Sequence, residues 1–313
     1  MNYSKPPLTY DEQIALMEGR GLTVEGNDRA KRYLEQISYY RLSAYVLPLQ
    51  QVKDRFTPGT TFDQLLNLYL FDRELRLLVF DEIERIEVAV RAQAIYRLSH
   101  KYGSHWQDDP NVFLPAYVNR GGITVDIFNE TQAVIQEHCT SKRPETFVEH
   151  YRATYSSPAN PPSWMSMELL TMGQLSRLFA GLKDNADKSG ISTYFGLHHN
   201  VMTSWLHTMT YVRNICAHHS RLWNRDFGVR PDLLMKPSKP WMTTSFRRNN
   251  HRCFYFLCTL KYLLFAANPT NHFRDRLEAL FRKFQDVPVR FLGIPTDRAG
   301  NHIAWQNEPL WQA

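Results

Sequence analysis

The residues best placed to do chemistry lie in one stretch, residues 201–224 (VMTSWLHTMTYVRNICAHHSRLWN), and above all in its Arg213-Asn214-Ile215-Cys216-Ala217-His218 core. No Pro or Gly interrupts it, and Val201, Trp205, Met209, Val212 and Cys216 recur at helical spacing. His207, Tyr211, Asn214, His218 and Arg221 follow one another in steps of three or four, so one flank of an otherwise buried helix is polar. Arg213 lies one step round from Asn214, at roughly 100° per residue, so Arg213, Asn214 and His218 can converge on a single cleft. A fixed positive charge, an amide and an imidazole suit the holding and cleaving of a phosphodiester. The plainer alternative is that these residues cap or pair polar groups between packed helices. Five polar residues on one flank are more than packing ordinarily needs.

A metal hydrolase is a rival, because His198, His199, His207, His218 and His219 lie close in sequence. No H-E-x-x-H is present, and no carboxylate stands between Phe195 and Leu222, so oxygen ligands would have to come from elsewhere. Neither a metal nor a cofactor is expected.

Helices must position these groups. Thr9 and Glu12 have the spacing of a capping box and open a helix over 11–20; a second covers 27–38 and leads into Tyr39-Tyr40-Arg41-Leu42-Ser43-Ala44-Tyr45 before Pro48. Residues 1–60 thus read as a small helical, winged-helix-like unit, in which Arg41 faces either a phosphate or a nearby carboxylate. Thr61 or Asp63 opens the longest helix, to about residue 102, with Leu65, Leu68, Leu75, Val79, Ile83, Ile86 and Val90 in register. Its Asp72–Arg76, Asp81–Arg85 and Glu87–Arg91 pairs at i,i+4 suit a solvated face. The sharper alternative sets Glu84, Glu87 or Arg91 beside the Arg213 helix, where a carboxylate orients the imidazole. Further helices are expected over 126–139, 144–155, 164–182, 247–267 and 273–284. A break is expected at 156–162, a polar turn at 183–190 and a loose tail from Pro288. The chain divides as an N-terminal unit (1–60), a helical body (61–267) and a C-terminal helix and tail (268–313). No run has strand period, and the fold class is all-α.

The 313 residues are 43% hydrophobic, enough for a substantial core, and carry a net charge of +6, which suits a polyanionic partner without demanding one. The first thirty residues hold charges and no apolar signal region, and no apolar run is long enough for a bilayer, so no membrane association is expected. Four cysteines without C-x-x-C spacing read as reduced thiols of a cytoplasmic protein. Aromatics reach 13%; most belong to a core, but Tyr39, Tyr40, Trp223 and Trp241 stand near arginines, as do side chains that stack single-stranded RNA bases.

With these residues in place, the sequence resembles the Abi family of abortive-infection proteins, within the HEPN superfamily. The matching pieces are residues 40–45, the Asp72-Arg73-Glu74-Leu75-Arg76 and Ile83-Glu84-Arg85-Ile86-Glu87 runs with Arg91, Pro162-Ser163-Trp164-Met165, and Arg213-Asn214-x-x-x-His218. The resemblance implies a HEPN-like helical bundle and a metal-independent endoribonuclease acting as a phage-defence toxin. It also implies a homodimer in which two Arg/His motifs form one composite site. Arg213 would bind the scissile phosphate, Asn214 position the phosphate or the imidazole, and His218 act as general acid or base, leaving a 2′,3′-cyclic phosphate and a 5′-hydroxyl. Glu84, Glu87, Arg91, His207 and His219 would support them. RNA is the expected partner, both as substrate and as a regulatory small non-coding RNA, with Arg41, Arg221, Arg247, Arg248 and Arg252 as candidate contacts. The alternative is a HEPN module that binds RNA or protein without cutting. Relatives silenced by AMP transfer carry Tyr two positions after the His; Ser220 stands there, which argues against that control.

Overall fold

The architecture follows from one helix. Thr61 and Gln64 form a reciprocal capping box, with no Gly or Pro after them until Gly103, so the chain stays helical over 41 residues from Phe62 to Tyr102. That is about 60 Å of axis. In the computed structural model, which describes residues 2, 4, 6–243, 249–297, 299 and 301–313, helices from both halves of the chain pack against this one.

Three helices precede it: α1 (Tyr10–Gly19), α2 (Asn27–Ile37) and α3 (Tyr39–Ser43). They are followed by a hairpin of β1 (Gln50–Val52) and β2 (Arg55–Phe56), and then by the long helix, α4. A second small hairpin, β3 (Tyr117–Val118) with β4 (Thr124–Val125), leads to α5 (Ile127–Thr140), α6 (Thr146–Thr154), α7 (Ser163–Ser166), α8 (Met172–Gly181), α9 (Asn185–Tyr194) and α10 (His199–Ala217). The chain ends in α11 (Cys253–Ala267), α12 (Phe273–Lys283) and α13 (Pro309–Gln312). The protein is all-α. α4 packs against α9, α10, α11 and α12, while α10 also lies on α8 and α9. α11 is buried on every side from Cys253 to Leu264, as its apolar sequence requires. One hydrophobic cluster contains residues from Ile14 to Trp311. No helix of the described residues is long and apolar enough to cross a membrane.

Several sequence expectations need correction. The helix expected over 164–182 is two: Thr171 and Gln174 form a capping box that restarts it as α8, leaving Leu170 extended. The turn expected at 183–190 is mostly helical, because the Asp184 carboxylate caps α9 through the Ala186 N–H. α10 ends at Ala217 rather than running through Arg221: His219 adopts a left-handed φ of 55°, and the Ser220 N–H closes back on the Ile215 carbonyl at 2.9 Å. α11 begins at Cys253, since Arg252 is extended; Arg247 and Arg248 lie outside the described residues. The tail is packed rather than loose, with Leu292, Ile294, Trp305, Leu310 and Trp311 buried and Trp305 against Trp311, Phe254 and Phe281. At Gly293 (φ +92°) a Cβ would fall 2.4 Å from that of Arg252, so only glycine lets this turn close on the neighbouring segment.

Candidate active site at the end of helix α10

The end of α10 brings Arg213, Asn214 and His218 to the surface. Asn214 and His218 are exposed and Arg213 is half-buried. Among the described residues none of the three side chains makes a hydrogen bond or ion pair. The Arg213 guanidinium rests 5.5 Å from the centre of the Phe80 ring on α4, a stacking contact that orients it while leaving its N–H groups available. Glu87, one turn below Glu84 on the same helix, is near enough to feel that charge. Burial raises its carboxyl above the ordinary value, and Arg91 and Arg213 oppose the rise.

His218 owes its position to the turn that follows it. It is the C-cap of α10, its N–H donating to the Asn214 carbonyl. The next residues are then tied down from two sides. Arg41 on α3 donates from Nη1 to the His219 carbonyl at 2.7 Å, and Arg221 donates back to the Ala44 carbonyl at 2.8 Å. Beneath them the fully buried Asp72 carboxylate accepts from the Leu222 N–H at 3.1 Å, the Trp223 N–H at 2.6 Å and the Tyr45 hydroxyl at 2.5 Å, and it pairs with Arg76. Burial pushes the Asp72 carboxyl up, while Arg76 and the three donors favour its ionised form. Residues 39–45, Asp72 with Arg76, and the 218–223 turn therefore form one clamp.

The other sequence candidates fall as follows. Glu84 is exposed, and neither it nor Glu87 hydrogen-bonds His218. Arg91 is buried and joins α4 to the start of α8, with Glu87 at 2.8 Å, Glu168 at 3.2 Å and the Leu170 carbonyl at 2.8 Å. His207 is exposed on α10 about three turns, or roughly 16 Å, from the His218 end. His219 presents an exposed ring beside His218. Arg41 and Arg221 hold the turn as described, and Arg252 donates to Asp226, Asn224 and the Phe291 carbonyl. Asp72 and Tyr45 were overlooked as site residues, because an i,i+4 Asp/Arg pair reads locally as a surface ion pair. The signal that could have found Asp72 is that its pair lies in register with Leu68, Leu75 and Val79 rather than opposite them. Among the described residues no three His, Cys, Asp or Glu side chains come together as a metal-holding group.

A long central helix clamped to the C-terminal end of a shorter one, with a half-buried Arg and an exposed Asn and His at that end, defines an all-α protein with an Arg-Asn-x-x-x-His surface site. Residues 32–224, more than half of the chain and including every part of the clamp, match the family described as Abi-like protein. The chain belongs to that family. No curated protein and no solved structure matches it.

Proposed function

We propose that the protein is a metal-independent endoribonuclease of the HEPN type that acts in abortive infection, with Arg213, Asn214 and His218 as its cleaving set. One observation carries this reading. The three side chains stand without hydrogen-bond partners at the end of a helix whose following turn is held by four hydrogen bonds, one accepted from Arg41 and three donated by Arg221, Leu222 and Trp223. A half-buried guanidinium needed only for packing would be paired through its N–H groups. Here that of Arg213 rests on the Phe80 ring with its N–H groups unpaired, and the exposed Asn214 and His218 stand beside it.

In the reaction, the imidazole of His218 takes the proton from a ribose 2′-hydroxyl, and the 2′-oxygen attacks the adjacent phosphorus. Arg213 neutralises the charge gathering on the phosphoryl oxygens, and Asn214 donates to one of them. The 5′-oxygen leaves with a proton from a second acid, giving a 2′,3′-cyclic phosphate and a 5′-hydroxyl. A second copy of the chain supplies that acid as its own His218, so the working unit is a homodimer with a composite site. DNA, without the 2′-hydroxyl, is spared.

The test is induction of the wild type beside His218→Ala in a bacterial host at matched soluble levels, with total RNA profiled. Growth arrest and RNA fragments bearing 5′-hydroxyl ends from the wild type alone, in lysates that stay active in EDTA, support the ribonuclease. Identical behaviour of the two proteins with RNA intact overturns it and leaves a module that binds without cutting.

A further inference from the structure

Within residues 39–45 every residue but one has an internal role. The Tyr39 hydroxyl accepts from Arg20 at 3.0 Å, Arg41 binds the His219 carbonyl, and Leu42 is fully buried. Ser43 closes onto the Tyr40 carbonyl, the Ala44 carbonyl takes Arg221, and Tyr45 holds Asp72. The Tyr40 side chain is 88% exposed, and among the described residues neither its ring nor its hydroxyl has a partner. It is the most exposed large apolar side chain described, and it adjoins the arginine that fixes the catalytic turn. Beside it opens a groove of about 920 Å³ between α1, α3 and the β1–β2 hairpin, lined among others by Leu8, Met17, Tyr39, Leu47 and Lys53. Lys53 is exposed and, like Arg41, has no carboxylate partner among the described residues. The groove is mixed, its polar wall including Lys53 and the Arg20–Asp54 pair, and Arg41 follows Tyr40 in the chain. An aromatic face standing free, a part-apolar groove beside it and two cations without a paired carboxylate form the set that receives an unpaired base with its phosphate.

We infer that Tyr40 is the stacking platform for an unpaired nucleobase of the RNA strand whose phosphodiester sits at Arg213 and His218, with Arg41 and Lys53 facing the phosphate beside that base. This rests on the ribonuclease reading and narrows it: the substrate is single-stranded or looped RNA, because a base held in a duplex cannot be splayed onto the ring. Arg41 serves both ends, since one of its five N–H groups holds the His219 carbonyl and the others remain to meet the strand.

The experiment uses the full chain carrying His218→Ala, so that RNA is bound and not cut, titrated with a short fluorescein-labelled oligouridylate and with the same oligomer annealed to its complement. Adding Tyr40→Ala is expected to weaken single-strand binding by about five- to a hundred-fold, the range for losing one base-stacking partner, while Tyr40→Phe restores it. Replacing the stacked uridine by an abasic residue, found by moving one abasic site along the oligomer, should remove the difference between Tyr40 and Tyr40→Ala proteins. Equal binding by the two proteins overturns the platform, as does an equal loss on duplex, a Phe variant as weak as Ala, or no binding of the oligouridylate at all. Cleavage of total RNA by the otherwise wild-type protein is followed in parallel. If it cleaves and Tyr40→Ala cleaves equally well at limiting RNA, the platform fails while the ribonuclease stands; if it never cleaves, both fall together.

Discussion

Asp72→Asn isolates the element on which the site depends. The asparagine side chain has nearly the same shape, so no cavity forms. One oxygen becomes an NH₂ group facing donors that it cannot accept from: the Leu222 and Trp223 N–H groups or the Tyr45 hydroxyl, according to its orientation. The substitution also leaves Arg76, itself 5% exposed, as a buried charge without its counterion. Removing one member of a buried ion pair costs about 3–5 kcal/mol, mostly through the stranded charge. At about 2–3 °C per kcal/mol for a chain of this size, the unfolding midpoint should drop by roughly 6–15 °C in differential scanning fluorimetry. Adding Arg76→Met removes the stranded charge and should recover at least half of that loss, because replacing both partners by well-packed apolar groups is often near neutral. A single mutant within about 2 °C of the wild type would refute the assignment of Asp72 as the ionised hub. No recovery in the double mutant would show instead that the hydrogen bonds to the turn, rather than the ion pair, carry the energy.

The remaining expectations are more local. Arg41→Ala deletes one exposed bond to a carbonyl and should cost about 1 kcal/mol of stability, yet lower the proposed RNA cleavage about tenfold or more by loosening the His218 turn; parallel melting curves and cleavage rates separate the two effects. Trp311→Ala should destabilise by about 3–5 kcal/mol in urea titrations, a cost that an unpacked terminus could not show. Burial pushes the Cys139 thiol up, takes Cys216 up to about 12, and holds Cys253 and Cys258 well above the ordinary range. A raised thiol pKa leaves the neutral, unreactive form at pH 8. Mass spectrometry should therefore find the native protein unalkylated by iodoacetamide at that pH and all four sites labelled after denaturation.

The helices were legible where their signals are local. Thr9 with Glu12 and Thr61 with Gln64 mark their own starts, and the apolar stripe of α4 is long enough to outlast any accident of composition. α9 was missed because Ile191 is its only buried apolar residue, although Asp184 two residues before Ala186 is a readable cap. The end of α10 was misplaced because His218-His219-Ser220 contains neither Gly nor Pro, and a left-handed histidine is set by its surroundings rather than by propensity. In the tail, Pro and Gly correctly signalled the absence of long helix but said nothing of packing, which there rests on isolated tryptophans.

Three of the stretches that carried the family resemblance, residues 40–45, Asp72 with Arg76, and the end of α10, lie far apart in the chain, and their joint presence is explained by geometry. Arg41 and Tyr45 are four residues apart, so a single helical turn aims one at the His219 carbonyl and the other at Asp72. Asp72 and Arg76 repeat that spacing on α4, which turns the carboxylate toward two successive backbone N–H groups about 150 positions later in the chain. Each stretch alone reads as an ordinary amphipathic helix. Together they satisfy the polar backbone groups of a turn that leaves its helix between buried neighbours, where an unmet N–H would cost as much as a lost hydrogen bond. A turn held in this way has little freedom, and the histidine at its start inherits that rigidity. The arginine and asparagine one turn earlier stand on the same helix, so the fold sets the spacing of all three groups, which is what the proposed cleavage asks of a guanidinium and an imidazole that must act on a phosphodiester without first having to be gathered.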